Sequence, residues 1–233
     1  MRRYLIVDDN LAFAENLAEI LRDDGAEVTV VASGQQALEA ARSSRFDALV
    51  TDMRMPVMSG ARLVHEIREQ DHGLPAIVVT AYTGEEDLVA AREEGLLAIL
   101  PKPVPILRLV ELLRCARRDA LVALVEDDFA LADNLTEALR DRGFSAVTAR
   151  SVAEAGRLGG AKPFAALVDI RVKGGADGEA LRTVLRNNPG LPVVGMTAFP
   201  EVRAIAPTVR VFEKPFAMCD VLRAIEELHG ASR

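Results

Sequence analysis

Asp8 and Asp9 close one short apolar run, and Glu126 and Asp127 close another; single acids, Asp52 and Asp169, end further runs. Thr80 and Lys102 in the first half, like Thr197 and Lys214 in the second, also stand at or just past such runs. Like charges about 4 Å apart cost roughly 4 kcal/mol at an effective dielectric of about 20. Three clustered carboxylates would therefore raise one another's pKa unless a cation sat among them. Oxygen donors without Cys or His suit a hard ion, and so few carboxylates suit Mg²⁺, which keeps several waters and binds beside phosphate. A lysine adds a point charge for an anion on that metal. Carboxylate nucleophile, metal, hydroxyl and lysine are together the parts of a phosphoryl-transfer site, where positioning and charge neutralisation supply most of the catalysis.

These residues can meet only if the elements between them bring the ends of the runs to one place. At a constant offset of 118 (127 − 9), Val7, Asp9, Ala14, Asn16, Leu17, Leu21, Gly25, Ser33 and Ala37 recur as the same residue type, so the chain holds two copies of one unit. Past residue 37 the register slips by about one, yet "VTDMRMP" still answers "LVDIRVK" and "LPAIVVTAY" answers "LPVVGMTAF". The expected domains are 1–118 and 119–233. In the first, β-branched runs at 5–7, 27–31, 48–51, 76–80 and 98–100 read as strands. Between them lie helical patterns such as "LAFAENLAEILRDDG", with Leu11, Ala14, Leu17, Ala18 and Leu21 on one face and Gly25 as the stop. "SGQQ" and "SVAE" are capping boxes that start a helix after the second strand of each copy. Alternating β and α elements imply parallel strands with helices on both faces. The expected fold class is α/β: two tandem flavodoxin-like (βα)5 doubly wound domains, with ligands at the C-terminal strand ends.

Bulk properties agree. The chain has 233 residues, 50% hydrophobic and 27% charged, with net charge −7, which disfavours nonspecific nucleic-acid or anionic-membrane binding. No run is long enough for a signal peptide or a membrane span. Cys115 and Cys219 lack metal-ligand spacing and read as packed, reduced thiols of a cytoplasmic protein. Met53, Met55 and Met58 read as gap-filling residues, and His65 and His72 as surface positions.

With strands and acids in this order, the chain resembles the receiver domains of bacterial two-component response regulators, as two tandem copies. Asp8 and Asp9 match the acidic pair, Asp52 the phosphoacceptor, Thr80 the switch hydroxyl and Lys102-Pro103 the lysine with its following, usually cis, proline. Glu126, Asp127, Asp169, Thr197 and Lys214 match in the second copy. The resemblance implies a histidine kinase as phosphodonor and Mg²⁺ held by the acids with the backbone carbonyls of Arg54 and Arg171. It implies a downstream protein target or phosphotransfer protein, with no nucleic acid or membrane as partner. The copies depart from the pattern in places. Threonine and lysine are 22 residues apart (102 − 80) in the first copy but 17 (214 − 197) in the second, so the second copy's fourth helix is expected to be short or irregular. Its loop after the third strand has Lys173 in place of Pro56 and one residue more before the glycine. Ile99 and Val211 replace the family's inward-turning aromatic. Arg54 and Tyr82, and Arg171 and Phe199, should crowd the attacking water and slow self-dephosphorylation. With four residues after the last expected helix, no output domain is expected to follow. A rival reading makes the second copy a degenerate docking or dimerisation module and only the first a switch. A phosphatase of the haloacid-dehalogenase type would instead set a D-x-D nucleophile after strand one.

Overall fold

Strand β1 (Arg3–Val7) shows why the sheet forms: Tyr4 and Ile6 pack on one side, Leu5 and Val7 on the other, and all four are buried. Side chains alternate across a strand, so a run buried on both sides belongs in a parallel sheet covered on both faces. The structure is a computed structural model and describes residues 1–81, 94–199 and 209–231. The chain divides into two units, Met1–Asp119 and Ala120–Arg233.

In the first unit β1 is joined by β2 (Glu27–Val31), β3 (Ala48–Asp52), β4 (Ala76–Thr80) and β5 (Ala98–Pro101), in the all-parallel order β2-β1-β3-β4-β5. Helices α1 (Leu11–Asp23) and α4 (Ile106–Cys115) cover one face, where Ala14, Leu17, Leu21, Leu109 and Leu112 meet Tyr4 and Ile6. Helices α2 (Gly34–Ser43) and α3 (Gly60–Gln70) cover the other, with Leu38, Leu63 and Ile67 against Leu5 and Leu49.

The second unit repeats this plan. Strands β6 (Leu121–Val125), β7 (Ser145–Ala149), β8 (Ala165–Asp169), β9 (Val193–Thr197) and β10 (Arg210–Glu213) lie in the parallel order β7-β6-β8-β9-β10. Helices α5 (Phe129–Asp141) and α8 (Met218–Ala231) pack on one face, α6 (Val152–Ala155) and α7 (Glu179–Asn187) on the other. In both units the sheet order turns back between the first and third strands, so the crevice at their C-terminal ends is where an open α/β sheet holds ligands.

Local signals act much as the spacing predicts. Ser33 Oγ accepts from Gln36 N at 3.4 Å and Ser151 Oγ from Glu154 N at 3.2 Å, so both helix starts are capped. The reciprocal bonds fall one residue earlier than in an ideal box, on the N–H groups of Ala32 and Arg150. Two expectations are corrected. Leu11 is exposed, because as the first residue of α1 it stands above the sheet and the apolar stripe begins at Ala14. Cys219 is exposed, in the first turn of α8 whose buried side begins at Val221. The last helix of the first unit ends at Cys115, and the Arg2 guanidinium closes that end by donating to the Ala116 and Arg114 carbonyls. The helix begun by Ser151 lasts one turn and gives way to a 3₁₀ segment, Leu158–Ala161, since Gly156, Gly159 and Gly160 do not sustain it. Residues 82–93 and 200–208, which include Tyr82 and most of the span where the spacing predicts a helix between the fourth and fifth strands of each copy, lie outside the described residues.

Candidate active site

Each acid owes its place to where its strand ends. Asp8 follows β1 and is buried; its Oδ1 accepts from Asn10 N at 2.9 Å. Asn10 caps α1, with its Oδ1 accepting from Phe13 N at 3.1 Å, so the turn that starts the helix also orients the Asp8 carboxylate. Asp9 stands exposed at the rim beside it. Asp52 is the last residue of β3 and its Oδ2 accepts from Arg54 N at 2.7 Å. Lys102, just past β5 and before a cis Pro103, reaches both acids: Nζ lies 2.7 Å from Asp8 Oδ2 and 2.7 Å from Asp52 Oδ1. The Phe13 ring lies 4.5 Å from the same ammonium. Thr80, buried, ends β4, and its carbonyl accepts from Lys102 N at 2.8 Å.

The second unit builds the same constellation. Glu126 Oε1 accepts from Asp128 N at 3.2 Å while Asp128 caps α5. Asp169 Oδ1 accepts from Arg171 N at 2.8 Å. Lys214, again before a cis proline, lies 2.7 Å from Glu126 Oε2 and 2.6 Å from Asp169 Oδ2. Asp127 is 3.9 Å from Lys173 Nζ, the residue that replaces the proline of the first loop. Among the described residues, Glu126, Asp127 and Asp169 form the group whose ligand oxygens all come within 4.8 Å of one another. Thr197 is fully buried; its Oγ1 accepts from Phe199 N at 3.0 Å.

Electrostatics follow from this packing. Burial would lower the pKa of Lys102, but hydrogen bonds to Asp52 and Asp8, with their charges, outweigh it and hold the ammonium above the usual lysine range. Lys214 is held up in the same way by Asp169 and Glu126. Burial pushes the Glu126 carboxyl up; the Lys214 hydrogen bond and charge oppose this, the Asp169 charge adds to it, and the net is a raised value. Buried carboxylates held by one lysine and backbone N–H groups, with hard oxygen atoms facing a crevice, are a donor set that fits a small divalent cation.

Sequence reading did not single out several contributors. Phe13 sits on the inner edge of α1, and nothing in its spacing marked it as a neighbour of Lys102. A Cβ at Gly60 would lie 2.2 Å from the Asp52 carbonyl oxygen, so the glycine lets α3 start against the acceptor strand. Asp177 binds the Arg171 guanidinium with both carboxylate oxygens at 2.8 Å, and that guanidinium lies 3.7 Å over the Phe199 ring. Met53 and Met55 are buried in the core and His65 is exposed on α3, beside Glu94.

Comparison with known proteins now bears on this geometry. The family model described as the response regulator receiver domain matches residues 4–114. A response regulator receiver protein of Anaeromyxobacter sp. (strain Fw109-5) is 60% identical over 229 residues, covering 98% of this chain and 96% of that protein. The response regulator MprA of Mycobacterium ulcerans (strain Agy99) is 32% identical over 170 residues, covering 73% of this chain and 72% of its own. Among solved structures, a receiver domain protein from Methanospirillum hungatei JF-1 is 30% identical with a TM-score of 0.48, covering 49% of this chain and 91% of that one. An acidic crevice with its lysine at the ends of a parallel sheet, and a relative alike over nearly the full length, lead to one conclusion: the chain belongs to the response regulator receiver family.

Proposed function

We propose that both units are phosphoryl acceptors, Asp52 in the first and Asp169 in the second, loaded by a histidine kinase, and that the protein signals through protein contacts or passes the group on within a relay. One observation carries this reading: the acid–acid–lysine constellation is complete in each unit, with Lys102 and Lys214 each within 2.7 Å of two carboxylates.

In each acceptor one carboxylate oxygen is held by a backbone N–H, from Arg54 or Arg171, while the other faces the lysine. Attack by that carboxylate forms an O–P bond as the N–P bond to the donor imidazole breaks, and the ammonium moves onto the transferred oxygens. Thr80 or Thr197 turns its hydroxyl to the same group, which carries the change into the following loop. Asp8, Asp9, Asp52 and the Arg54 carbonyl would hold Mg²⁺ in the first unit, and Glu126, Asp127, Asp169 and the Arg171 carbonyl in the second. Bound there, the ion neutralises charge on the phosphoryl oxygens. Arg171 stacked on Phe199 crowds the way in for water and supports a long-lived acyl phosphate in the second unit.

The deciding experiment is intact-mass analysis after exposure to Mg²⁺ and beryllium fluoride or a kinase, on the wild type and on Asp52→Ala, Asp169→Ala and the double variant. We expect two modifications in the wild type, one in each single variant and none in the double. Modification at Asp52 alone would instead leave the second unit a docking module.

A further inference from the structure

The loop after β8 makes a contact chain around Asp169. The backbone N–H of Arg171 donates to Asp169 Oδ1 at 2.8 Å, and its guanidinium lies 3.7 Å over the Phe199 ring. Phe199 N in turn donates to Thr197 Oγ1 at 3.0 Å. Arg171 thus connects the acceptor to the hydroxyl through a side chain laid from one rim loop to the other. A long, exposed arginine does not keep such a pose unaided, because its rotamer entropy opposes it.

The restraint comes from Asp177. Nε and Nη2 of Arg171 donate to Asp177 Oδ1 and Oδ2, both at 2.8 Å, the two-pronged match that fixes the plane of a guanidinium as well as its position. Asp177 is itself anchored, since its carbonyl accepts from Arg182 Nη2 of α7 at 3.1 Å, and Ala176 N next to it donates to Glu179 Oε2 at 2.8 Å. It belongs to the stretch that is one residue longer than in the first unit (178 − 169 against 60 − 52).

We infer that Asp177 is a positioning residue that holds Arg171 across Phe199, narrowing the approach to Asp169 so that a phosphoryl group is both slow to arrive and slow to leave. The inference rests on the reading of Asp169 as an acceptor. A shield over the approach obstructs a phosphodonor and a hydrolytic water alike, so removing it speeds both steps by a similar factor. A residue that merely stabilised the loop would not link the two rates.

The test uses the full chain carrying Asp52→Asn, so that only Asp169 reports, with acetyl phosphate and Mg²⁺ as the probe. Loading, and loss after the donor is removed, are followed by intact mass. Asp177→Ala should raise both rates by about fivefold, the scale of an exposed two-pronged ion pair and one ring contact. Phe199→Ala removes the other side of the shield and should do the same, and the double variant should gain little more, because the two residues act through one guanidinium. Unchanged rates, a change in only one of them, or full additivity of the two substitutions would overturn the inference while leaving Asp169 an acceptor. Failure of Asp169 to load in any of these proteins would remove both readings together.

Discussion

A single ammonium, that of Lys102, lies between Asp8 and Asp52 and lets two carboxylates share a buried crevice. Its folded-state pKa is raised, so the folded chain binds that proton more tightly than the unfolded one. The resulting stability is fully present below the unfolded lysine value of about 10.4 and disappears as pH climbs through the raised folded value. Lys102→Met should therefore cost about 2 kcal/mol near neutral pH in a chelator, less than a fully buried pair because the ammonium is partly exposed. Urea midpoints measured from pH 7 into the alkaline range should show wild type and variant converging. Adding Mg²⁺ at neutral pH should return part of the loss, since a cation again sits among the acids. A deficit that is the same at every pH and indifferent to Mg²⁺ would mean that the lysine acts through packing alone.

At the scale of elements, the acceptor sits where β3 ends and α3 begins with no room to spare. Gly60 N donates to the Met53 carbonyl at 2.9 Å, and a Cβ at Gly60 would lie 2.2 Å from the Asp52 carbonyl oxygen. Because the obstacle is backbone, Gly60→Ala must push helix and strand apart, at a cost of about 2 kcal/mol. We expect a lower thermal midpoint together with weakened beryllium fluoride uptake at Asp52; uptake at the wild-type level would show that the strand end tolerates the shift. The same loop turns at Val57, with φ +71 and full exposure, where the second unit places Gly174 at φ +90. Two loops of different sequence thus make one left-handed step, and only the second uses the residue that takes it without strain.

For the molecule as a whole, each unit has two buried clusters of its own, one on each face of its sheet. The first unit also fastens its own last residues: the Arg118 guanidinium donates to the Phe46 carbonyl and to Asp71, and Asp119 N donates to the Gly73 carbonyl at 2.9 Å. A fragment ending at Asp119 should therefore unfold cooperatively in urea and take up beryllium fluoride at Asp52. A fragment without a cooperative transition would place part of its stabilisation in residues beyond 119.

The sequence by itself determined the strands, their parallel order and the acids at their ends. These follow from local physics: a two-residue alternation buried on both faces, caps such as Ser33 and Ser151, and the abrupt change from apolar to charged after Val7 and Val125. Other features depend on partners far away in the chain and became visible only in three dimensions. Arg68 of α3 is buried against the Gly95 carbonyl, 2.9 Å from Nη2, and burial lowers its pKa to about 10 despite the nearby Glu94. The place of Phe13 beside Lys102, the backbone contact that Gly60 permits and the grip of Asp177 on Arg171 are equally matters of tertiary structure. Periodicity records which side of an element faces the core, but not which residue of another element waits there. That second fact is decided by how the strand ends and loops converge in space.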